Sequence, residues 1–443
     1  SILAEWKHSL LERRPAKPLI PEDFAKMNKT RQVGLCQKIK DGGKAITKLL
    51  TDSNKILKVS QGLPDWKAYV DFVNNIVVDG LASVVLYSLD FVIQNTDSSL
   101  IKSKGRVPIL EIQLDLKASK VVFSPDLGNS EKKNGLRDIV NSWIEDFYLI
   151  ATLFKRLDTS NGTYIKELQN NMHIQSCIAN INDLLNANDE ACVAFKETYE
   201  NYSYLFITDL QSTFKAFLAE VGTELQAGHT EYDLQRFDEE ITKYRKTQQD
   251  VSELKSQVDI GWVRINPQPI KQALGTWASK WSFMFTQFLV DDVQHKLQNL
   301  YDFMGSAGIG LDQPVIATDK ESLMAIMGHI RDVKKRMDTT KEMLHPIRAC
   351  TSLLRKHGIL LDKLKVGKYT EREDGKVEIK DAVEIYDYLE QAPGDWDTLV
   401  NKAFAKKEVI TPLQNAEVDN IKDEMEKFFL KIRAFRGEFR KNA

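Results

Sequence analysis

Apolar residues recur at alternating spacings of three and four in several long stretches of this chain, which is the pattern of an amphipathic helix. One stretch opens on a capping box, with Thr318 as N-cap and Glu321 three residues later. The apolar positions behind it are Leu323, Ile326, Ile330, Val333, Met337, Thr340 and Leu344. They predict a helix that carries a narrow apolar seam on one face and that Pro346 kinks or ends.

Two further stretches keep the same rhythm. The first contains Leu234, Phe237, Ile241, Tyr244, Val251, Leu254 and Val258, with a polar interruption near Gln248. Before the second, Thr411, Pro412 and Gln414 form another capping box, which predicts one helix over about the last thirty residues. Its apolar positions are Ile421, Met425, Phe428, Ile432, Phe435 and Phe439. Such spacing favours near-parallel packing of helices in bundles.

The most aromatic stretch is "TWASKWSFMFTQFLVDDV", from Thr276 to Val293, which contains no proline or glycine. One face of the predicted helix is marked by Leu274, Trp277, Trp281, Met284, Phe285, Phe288 and Asp292. Phe283 and Val290 lie off that face, so the helix is apolar around most of its circumference, and other helices should enclose it. We expect the core of a bundle, and the alternative is a groove that receives a helix or strand of a partner.

Strict alternation interrupts the helical pattern once. In "ILEIQLDLKASKVVFSP" the residues Leu110, Ile112, Leu114 and Leu116 alternate with polar ones, which predicts a β-hairpin at about residues 108–124. A weaker hairpin signal surrounds Asp374 and Gly375. The predicted fold class is therefore mainly α, an elongated series of helical bundles with one small β-hairpin element.

The length of 443 residues exceeds what one hydrophobic core usually supports, so several packed units are expected. Breaks are predicted near Ser124–Gly135, Asn266–Pro269, Gly305–Pro314 and Gln391–Asp395. The predicted ranges are an N-terminal helical segment at 1–60, a helical bundle with the hairpin at 61–135, a long-helix bundle at 136–265, an aromatic-rich bundle at 266–392 and a C-terminal helix pair at 393–443.

Composition adds little chemistry to this picture. There are 61 basic and 63 acidic side chains, so no global field favours nucleic acid or membrane as a partner. The four cysteines, Cys36, Cys177, Cys192 and Cys350, have neither metal-ligand nor redox spacing, and we expect free, reduced thiols. The apolar run Gly80–Leu89, between Asp79 and Asp90, is shorter than the ~20 residues that span a bilayer, which predicts a soluble intracellular protein.

The best candidate for a phosphate loop is "GSAGIGLD", where Gly305 and Gly310 have the Walker spacing. Leu311 and Asp312 stand where such a loop needs lysine and a hydroxyl, so a plain loop is expected and no ATP binding. His329 is expected to be an ordinary helix histidine. Adjacent carboxylates such as Asp291 and Asp292 point to different faces of a helix. The sequence therefore predicts no catalytic, cofactor or metal site.

The C-terminal run "KIRAFRGEFRK" is similar to a calmodulin-type basic helix. Because Phe435 and Phe439 fall on the predicted seam, we expect them in a core, with the basic residues on a solvated face. The structural core predicted for the whole chain contains the aromatic residues Trp66, Trp262, Trp277, Trp281, Phe285, Phe288 and Trp396. No partner-binding residue is predicted.

Several stretches together carry a resemblance to a known family. They are "WKAYVDFVNNIVVDG" (Trp66–Gly80), "LEIQLDLKASKVVFSP" (Leu110–Pro125), "WVRINPQPIKQAL" (Trp262–Leu274), "KWSFMFTQFLVDDV" (Lys280–Val293), "LMAIMGHIRDVKKRMDTTKEMLHPI" (Leu323–Ile347) and Trp396–Lys441. In this order they resemble the stem of a dynein heavy chain, most closely the axonemal outer-arm type. The first sixty residues match weakly.

The resemblance implies a segment of the N-terminal stem, ahead of the linker and the AAA+ ring of an ATP-driven, minus-end-directed microtubule motor. ATP and magnesium would then belong to the downstream motor, and this segment would hold no cofactor. The implied partners are intermediate chains with β-propellers, light chains bound through them, other heavy chains and the docking apparatus on doublet microtubules, in the axoneme of a cilium or flagellum after assembly in the cytoplasm. No nucleic acid and no membrane is implied.

Two classes of function therefore remain at this point. The first is a structural and assembly scaffold within a ciliary motor. The second is an unrelated helical-bundle tether or adaptor, which would lack phosphate loops downstream and would not co-purify with intermediate chains. A helical enzyme ranks behind both, because it would need perturbed titratable groups in a deep cleft.

Overall fold

The structure is a computed structural model that describes residues 2–11, 13–158, 160–224, 230–315, 320–371 and 377–442. The chain forms two compact units. Unit 1 comprises Ser1–Asp209 and Lys246–Ser279, and unit 2 comprises Leu210–Arg245 and Lys280–Ala443. The finer division into five ranges stays a prediction.

Helices dominate both units. In chain order they are α1 (Pro21–Leu57), α2 (Pro64–Thr96), α3 (Ser98–Ser103), α4 (Leu136–Leu149), α5 (Ile165–Gln169), α6 (Met172–Glu200), α7 (Tyr204–Ile207), α8 (Leu210–Val221), α9 (Leu234–Glu253), α10 (Gln268–Asp312), α11 (Lys320–Lys335), α12 (Met337–Lys356) and α13 (Ile385–Asn442), with 3₁₀ turns at Ile2–Trp6 and Ile150–Thr152. Helices α9 and α10 contribute residues to both units. The mainly α fold class is confirmed.

The strands form small sheets. They are β1 (Leu110–Lys117), β2 (Lys120–Ser124), β3 (Gly222–Glu224), β4 (Thr230–Tyr232), β5 (Val258–Ile260), β6 (Val263–Asn266), β7 (Lys365–Glu371) and β8 (Val377–Glu384). Unit 1 contains a four-stranded sheet in the order β2-β1-β6-β5, and unit 2 contains the pairs β3-β4 and β7-β8. The weak hairpin signal therefore falls between two paired strands, although Asp374 and Gly375 lie outside the described residues.

The predicted hairpin at residues 108–124 is confirmed. Strands β1 and β2 pair antiparallel around Ala118 and Ser119, whose φ angles of 49° and 57° suit a two-residue hairpin turn. The sequence pattern did not indicate that β1 also pairs in parallel with β6, with Leu110 opposite Val263. Between β5 and β6, Gly261 has a φ of 52°, and a Cβ there would collide with the Asn188 amide, so this turn requires glycine.

Helix α2 lies at the centre of unit 1, where it packs against α6 and α4. The prediction that this apolar run is too short to span a bilayer was wrong by length and composition, because Asp79 and Asp90 lie within one helix of 33 residues. Among the described residues, α2 alone is long and apolar enough to cross a membrane by length and composition. However, 44% of its most apolar window is buried in the protein, so much of that surface belongs to the core.

The seam predicted from Leu323 to Leu344 is divided between two helices. Helix α11 ends at Lys335 and α12 begins at Met337, because the N–H of Arg336 contacts both the Asp332 and Val333 carbonyls and the turn tightens there. The prediction of one continuous helix was wrong. Of the two alternatives for Pro346, an end of the helix is excluded because α12 continues to Lys356, and a kink stays a prediction. Thr318 lies outside the described residues. The seam residues Ile326, Ile330, Val333 and Leu344 are buried.

The stretch from Leu234 is helical only to Glu253. Leu254 therefore follows the helix, and Val258 belongs to strand β5, so the predicted helical seam was wrong at its end. At the polar interruption, the Thr247 side chain is buried and its hydroxyl lies 3.3 Å from the Tyr204 hydroxyl. The hydroxyl of the buried Thr247 thus has a hydrogen-bond partner, which allows a polar residue at this point of the apolar pattern.

Helix α13 overturns three expectations. It runs without interruption through Gln391–Asp395 and through Thr411 and Pro412, so neither the predicted break nor the helix pair at 393–443 occurs. The Thr411 hydroxyl donates to the Lys407 carbonyl at 2.7 Å, one turn back, instead of capping a new helix. Buried residues that precede Thr411, including Ile410, pack α13 against its neighbours. This packing outweighs the backbone hydrogen bonds that Pro393 and Pro412 cannot donate.

Candidate functional site

The glycine-rich stretch is part of a helix, so the prediction of a loop there was wrong, although the helix ends within the break predicted at Gly305–Pro314. Helix α10 continues to Asp312. A Cβ on Gly310 would come within 2.3 Å of the His329 imidazole, whereas Gly305 and Gly308 have open space around them. Gly310 therefore allows His329 of α11 to lie directly against α10.

This stretch does not fit a nucleotide. Phosphate loops present free backbone N–H groups, but in a helix these groups bond to the preceding turn. Leu311 is buried, and the Asp312 carboxylate accepts from Lys402 at 2.5 Å, so the two positions that would need lysine and hydroxyl hold a core residue and an anion. The absence of ATP binding at this stretch stays a prediction.

In the described part of the chain, no group of three or more His, Cys, Asp or Glu side chains is placed to hold a metal ion. A polar cluster in unit 2 joins α9 to the end of α12. Asp238 lies 2.6 Å from the Lys356 ammonium and 2.7 Å from His357 Nε2. The hydrogen bond from Lys356 is the main reason that the pKa of Asp238 is lowered. The cluster fixes two helices to each other and borders none of the cavities described below.

The larger cavities contain mixed polar and apolar side chains. In unit 2, a cavity of about 470 Å³ is bordered by Asp292, Lys296, His345 and Cys350, among others. Asp292 and Lys296 pair at 2.6 Å, so these charges satisfy each other. Burial raises the pKa of the Cys350 thiol to about 12, which keeps it protonated and a poor nucleophile at neutral pH. A cavity of about 610 Å³ in unit 1 contains Trp143 and Phe147 beside several carboxylates.

From Lys280 onward, the aromatic stretch lies in the core of unit 2. Trp281 stacks on Tyr244 with ring centroids 5.2 Å apart, and Phe285 packs edge-on against Phe214 and Phe217. Both Trp281 and Phe285 are almost fully buried. The tight aromatic packing places this part of the helix inside a bundle, as expected for the core alternative.

The structure does not bring the other predicted core residues to one place. Trp66 and Trp262 are buried in unit 1, whereas Trp396 is buried in unit 2 beside Phe303. Trp277 and Phe288 are half-buried. These aromatics support separate cores and do not form one functional site.

Sequence reasoning missed Trp6, which is buried in unit 1. A Cβ on Gly42 would lie 2.8 Å from the Trp6 indole nitrogen, and one on Gly80 would lie 3.3 Å from the ring. Helices α1 and α2 therefore each have a glycine at the point where the Trp6 indole packs against them. In the sequence, the only sign of this contact is an isolated tryptophan in a segment with weak apolar periodicity. The glycines that Trp6 contacts lie far along the chain.

An extended exposed apolar surface is formed by the last part of α13. We call it the tail face, defined by Val418, Ile421, Met425, Phe428, Phe429, Leu430, Ile432 and Phe435, which are between 42% and 71% exposed. The expectation that Phe435 lies in a core was therefore wrong, and the side chain of Phe439 is not described. A smaller exposed face in unit 1 is formed by Tyr69, Phe72 and Ile76 on α2. Contiguous apolar surface of this kind is typical of sites where proteins contact one another.

Comparison with known proteins gives a consistent result, although no family model matches the chain. The dynein beta chain of the flagellar outer arm from Chlamydomonas reinhardtii is 31% identical over 475 residues, which cover 100% of this chain. The ciliary dynein beta chain of Tripneustes gratilla is 28% identical over 459 residues, again across 100% of the chain. Axonemal dynein heavy chain 17 of Mus musculus is 25% identical over 455 residues, also across 100% of the chain.

The alignments include the first sixty residues, where the sequence resemblance was weak. This chain spans only 10% of the length of each of these three relatives. What they share with it is therefore one segment of a much longer protein.

Proposed function

We propose that this chain, which is homologous over its whole length to the heavy chains of axonemal dyneins, is a non-catalytic stem segment of such a heavy chain. The observation that carries the proposal is the alignment of the entire chain with outer-arm and ciliary relatives. The names of these relatives place the chain in the axoneme of a cilium or flagellum.

The architecture supports a mechanical role. Long helices with buried seams and aromatic cores resist deformation, because their side chains are close-packed and few voids remain. The perturbed titratable groups found here, such as Asp238 and Cys350, stabilise packing and do not converge on a reactive centre. ATP hydrolysis and movement toward microtubule minus ends would belong to other parts of the heavy chain.

The partners that suit this role are intermediate chains with β-propellers, light chains bound through them, other heavy chains and the docking apparatus on doublet microtubules. The exposed apolar faces of α2 and α13 are the described surfaces best suited to protein contact, since burial of apolar area drives association. A scaffold would use such surfaces in place of a cleft.

The role is tested by deleting residues 1–443 from the full heavy chain. We expect the ATPase activity of the motor to persist, whereas intermediate chains no longer co-purify and the arm does not assemble on doublets. Heavy chain that still recovers intermediate chains at the normal ratio would contradict the scaffold role. Loss of ATPase activity with intact assembly would contradict the non-catalytic assignment.

Nucleotide binding is tested separately on the isolated chain. Calorimetric titration with magnesium ATP should give no binding heat, because Leu311 and Asp312 offer no phosphate ligand and the glycines are helical. The Asp312→Lys variant is the matched control, and it should also remain silent, since a single lysine on a helix does not create a phosphate loop. Micromolar binding by the natural chain would overturn this prediction.

A further inference from the structure

One turn of α13 contains the two residue types that are least favourable inside a helix. Pro393 and Gly394 stand next to each other, well within the helix. A Cβ on Gly394 would meet no other atom within 4 Å, so packing does not require glycine at this position. This turn is therefore intrinsically weak, and sharp bends of helices occur at such residues.

The proline changes the hydrogen bonding of this turn. Because Pro393 has no backbone N–H, the carbonyl of Leu389, four residues earlier, has no donor within the helix. Leu389 is buried, and a buried carbonyl without a donor is unfavourable. The Arg348 guanidinium of α12 donates from Nη2 to this carbonyl at 3.3 Å. A side chain of the neighbouring helix thus supplies the hydrogen bond that the proline removes.

Close packing flanks this turn but does not fill it. Helix α13 is buried at Tyr388 before the proline and at Trp396 after it. Between them, a cavity of about 250 Å³ is bordered by Pro393 and Trp396 of α13 and by Leu344 and Arg348 of α12, among others. Empty space gives a helix no support against bending, since its lining lacks contacts there. The hydrogen bond from Arg348 is therefore the specific link across the weak turn.

We infer that Pro393 and Gly394 form a hinge in α13 and that Arg348 of α12 keeps this hinge straight. The segment before the hinge follows directly from strand β8, and the segment after it packs on α11, where Lys334 lies over the Phe404 ring. Opening of the hinge would therefore change the angle between the β7-β8 hairpin and the α11 side of unit 2. This inference concerns unit 2 alone and does not rest on the proposed function.

Hydrogen exchange in the full 443-residue chain tests the role of Arg348. Arg348→Met keeps an apolar stem and removes the donor, so amides from Gly394 to Trp396 should exchange about three- to tenfold faster. In a Pro393→Ala background, alanine supplies its own N–H to the Leu389 carbonyl, and Arg348→Met should then have no effect on exchange. This difference between the two backgrounds would not arise if Arg348 acted through packing alone.

The matched control is Lys341→Met on the same helix. Lys341 pairs with Asp397 at 3.2 Å, but both side chains are exposed, so its loss should change exchange by less than about twofold. Unchanged protection from Ile326 to Val333 in each variant shows that unit 2 is folded. The inference is overturned if Arg348→Met has no effect, has the same effect in both backgrounds, or is matched by Lys341→Met.

A distance measurement tests the hinge itself. Nitroxide labels are attached at Asp387→Cys and Ala405→Cys, two exposed positions on opposite sides of the proline, after Cys36 and Cys177 are replaced by serine. A continuous helix places these positions about 27 Å apart. Pulsed electron resonance should give a narrow distribution near this distance in the parent chain, and a broader distribution with shorter distances after Arg348→Met. Adding Pro393→Ala should restore the narrow one. A narrow distribution that Arg348→Met leaves unchanged would disprove the hinge.

Discussion

Two apolar seams in unit 2 have the same spacing of apolar residues, but one is buried and the other is exposed to solvent. The seam shared by α11 and α12 is buried at Ile326, Ile330 and Val333, whereas the seam of α13 is exposed at Ile421 and Phe428. Both alternate steps of three and four, and both are bounded by polar residues. Apolar periodicity therefore identifies the face of a helix that requires cover but does not identify what covers it.

The largest effect is expected in the covered region. Trp281→Ala removes a buried ring that stacks on Tyr244 and should lower the free energy of unfolding of unit 2 by about 3–5 kcal/mol. Amide exchange should accelerate from Lys280 to Leu300. Phe283→Ala, at an exposed position of the same helix, is the control and should change little. Unchanged protection in the Trp281 variant would show that this helix is not part of the core.

A matched pair of substitutions tests the two seams directly. Ile326→Ala should cost about 2–5 kcal/mol because it leaves a cavity in the covered seam. Ile421→Ala should change the free energy of unfolding by no more than about 0.5 kcal/mol, measured by urea titration. Equal costs at the two positions would mean that the chain itself covers the α13 seam.

The contact at Gly310 gives an intermediate effect. Gly310→Ala forces a methyl group into the His329 ring and should cost about 1–3 kcal/mol, although alanine is the better helix former. Gly308→Ala, which meets open space, should instead stabilise α10 by up to about 1 kcal/mol. Adding His329→Ala to Gly310→Ala should recover most of the loss. Equal effects at the two glycines in thermal unfolding would disprove the close contact.

The smallest effect is expected from a change in pH. The pKa of Asp238 is lowered, chiefly by the hydrogen bond from Lys356, so the pair stabilises unit 2 at pH values above the ordinary carboxyl range and loses this contribution as pH falls through the lowered pKa. Because the pair is partly exposed, Asp238→Asn should cost at most about 1 kcal/mol at neutral pH and progressively less in acid.

The free energy of unfolding is measured by urea titration at several pH values, and the control residue is Asp419 on the exposed part of α13. Asp419 pairs with Lys422 at 3.1 Å and both side chains are exposed, so Asp419→Asn should leave the free energy of unfolding at neutral pH unchanged. A pH-independent loss in the Asp238 variant would indicate that its packing matters more than its charge.

The sequence predicted the features that depend on local pattern. The hairpin around Ala118, the helices and the buried aromatic stretch at Trp281 all follow from the spacing of apolar residues and from turn chemistry. The features that the sequence did not predict depend on packing between residues that are distant along the chain. Prolines at 393 and 412 stay within α13 because neighbouring residues are buried against other helices, and Trp6 is buried because glycines distant in sequence admit its ring.

The absence of a predicted contact surface has a physical cause of the same kind. The tail-face residues carry the same pattern as a core seam, so Phe435 was assigned to a core. Whether these residues are exposed depends on where the neighbouring helices end. The spacing of apolar residues within α13 does not encode those positions. The same limit applies to Gly310, whose contact with His329 depends on how closely two helices approach.

The parallel pairing of β1 with β6 also has a consequence for how the chain is made. Ribosomes deliver β1 and β2 long before β6, so the edge of β1 opposite β2 stays open while α4 to α9 are synthesised. An open strand edge is a template for pairing with other chains, and slow long-range closure prolongs that exposure. A nascent chain that terminates before Val258 has no β5 or β6 to close this edge. Such products are expected to aggregate, so complete synthesis through Asn266 is a condition for safe biogenesis of unit 1.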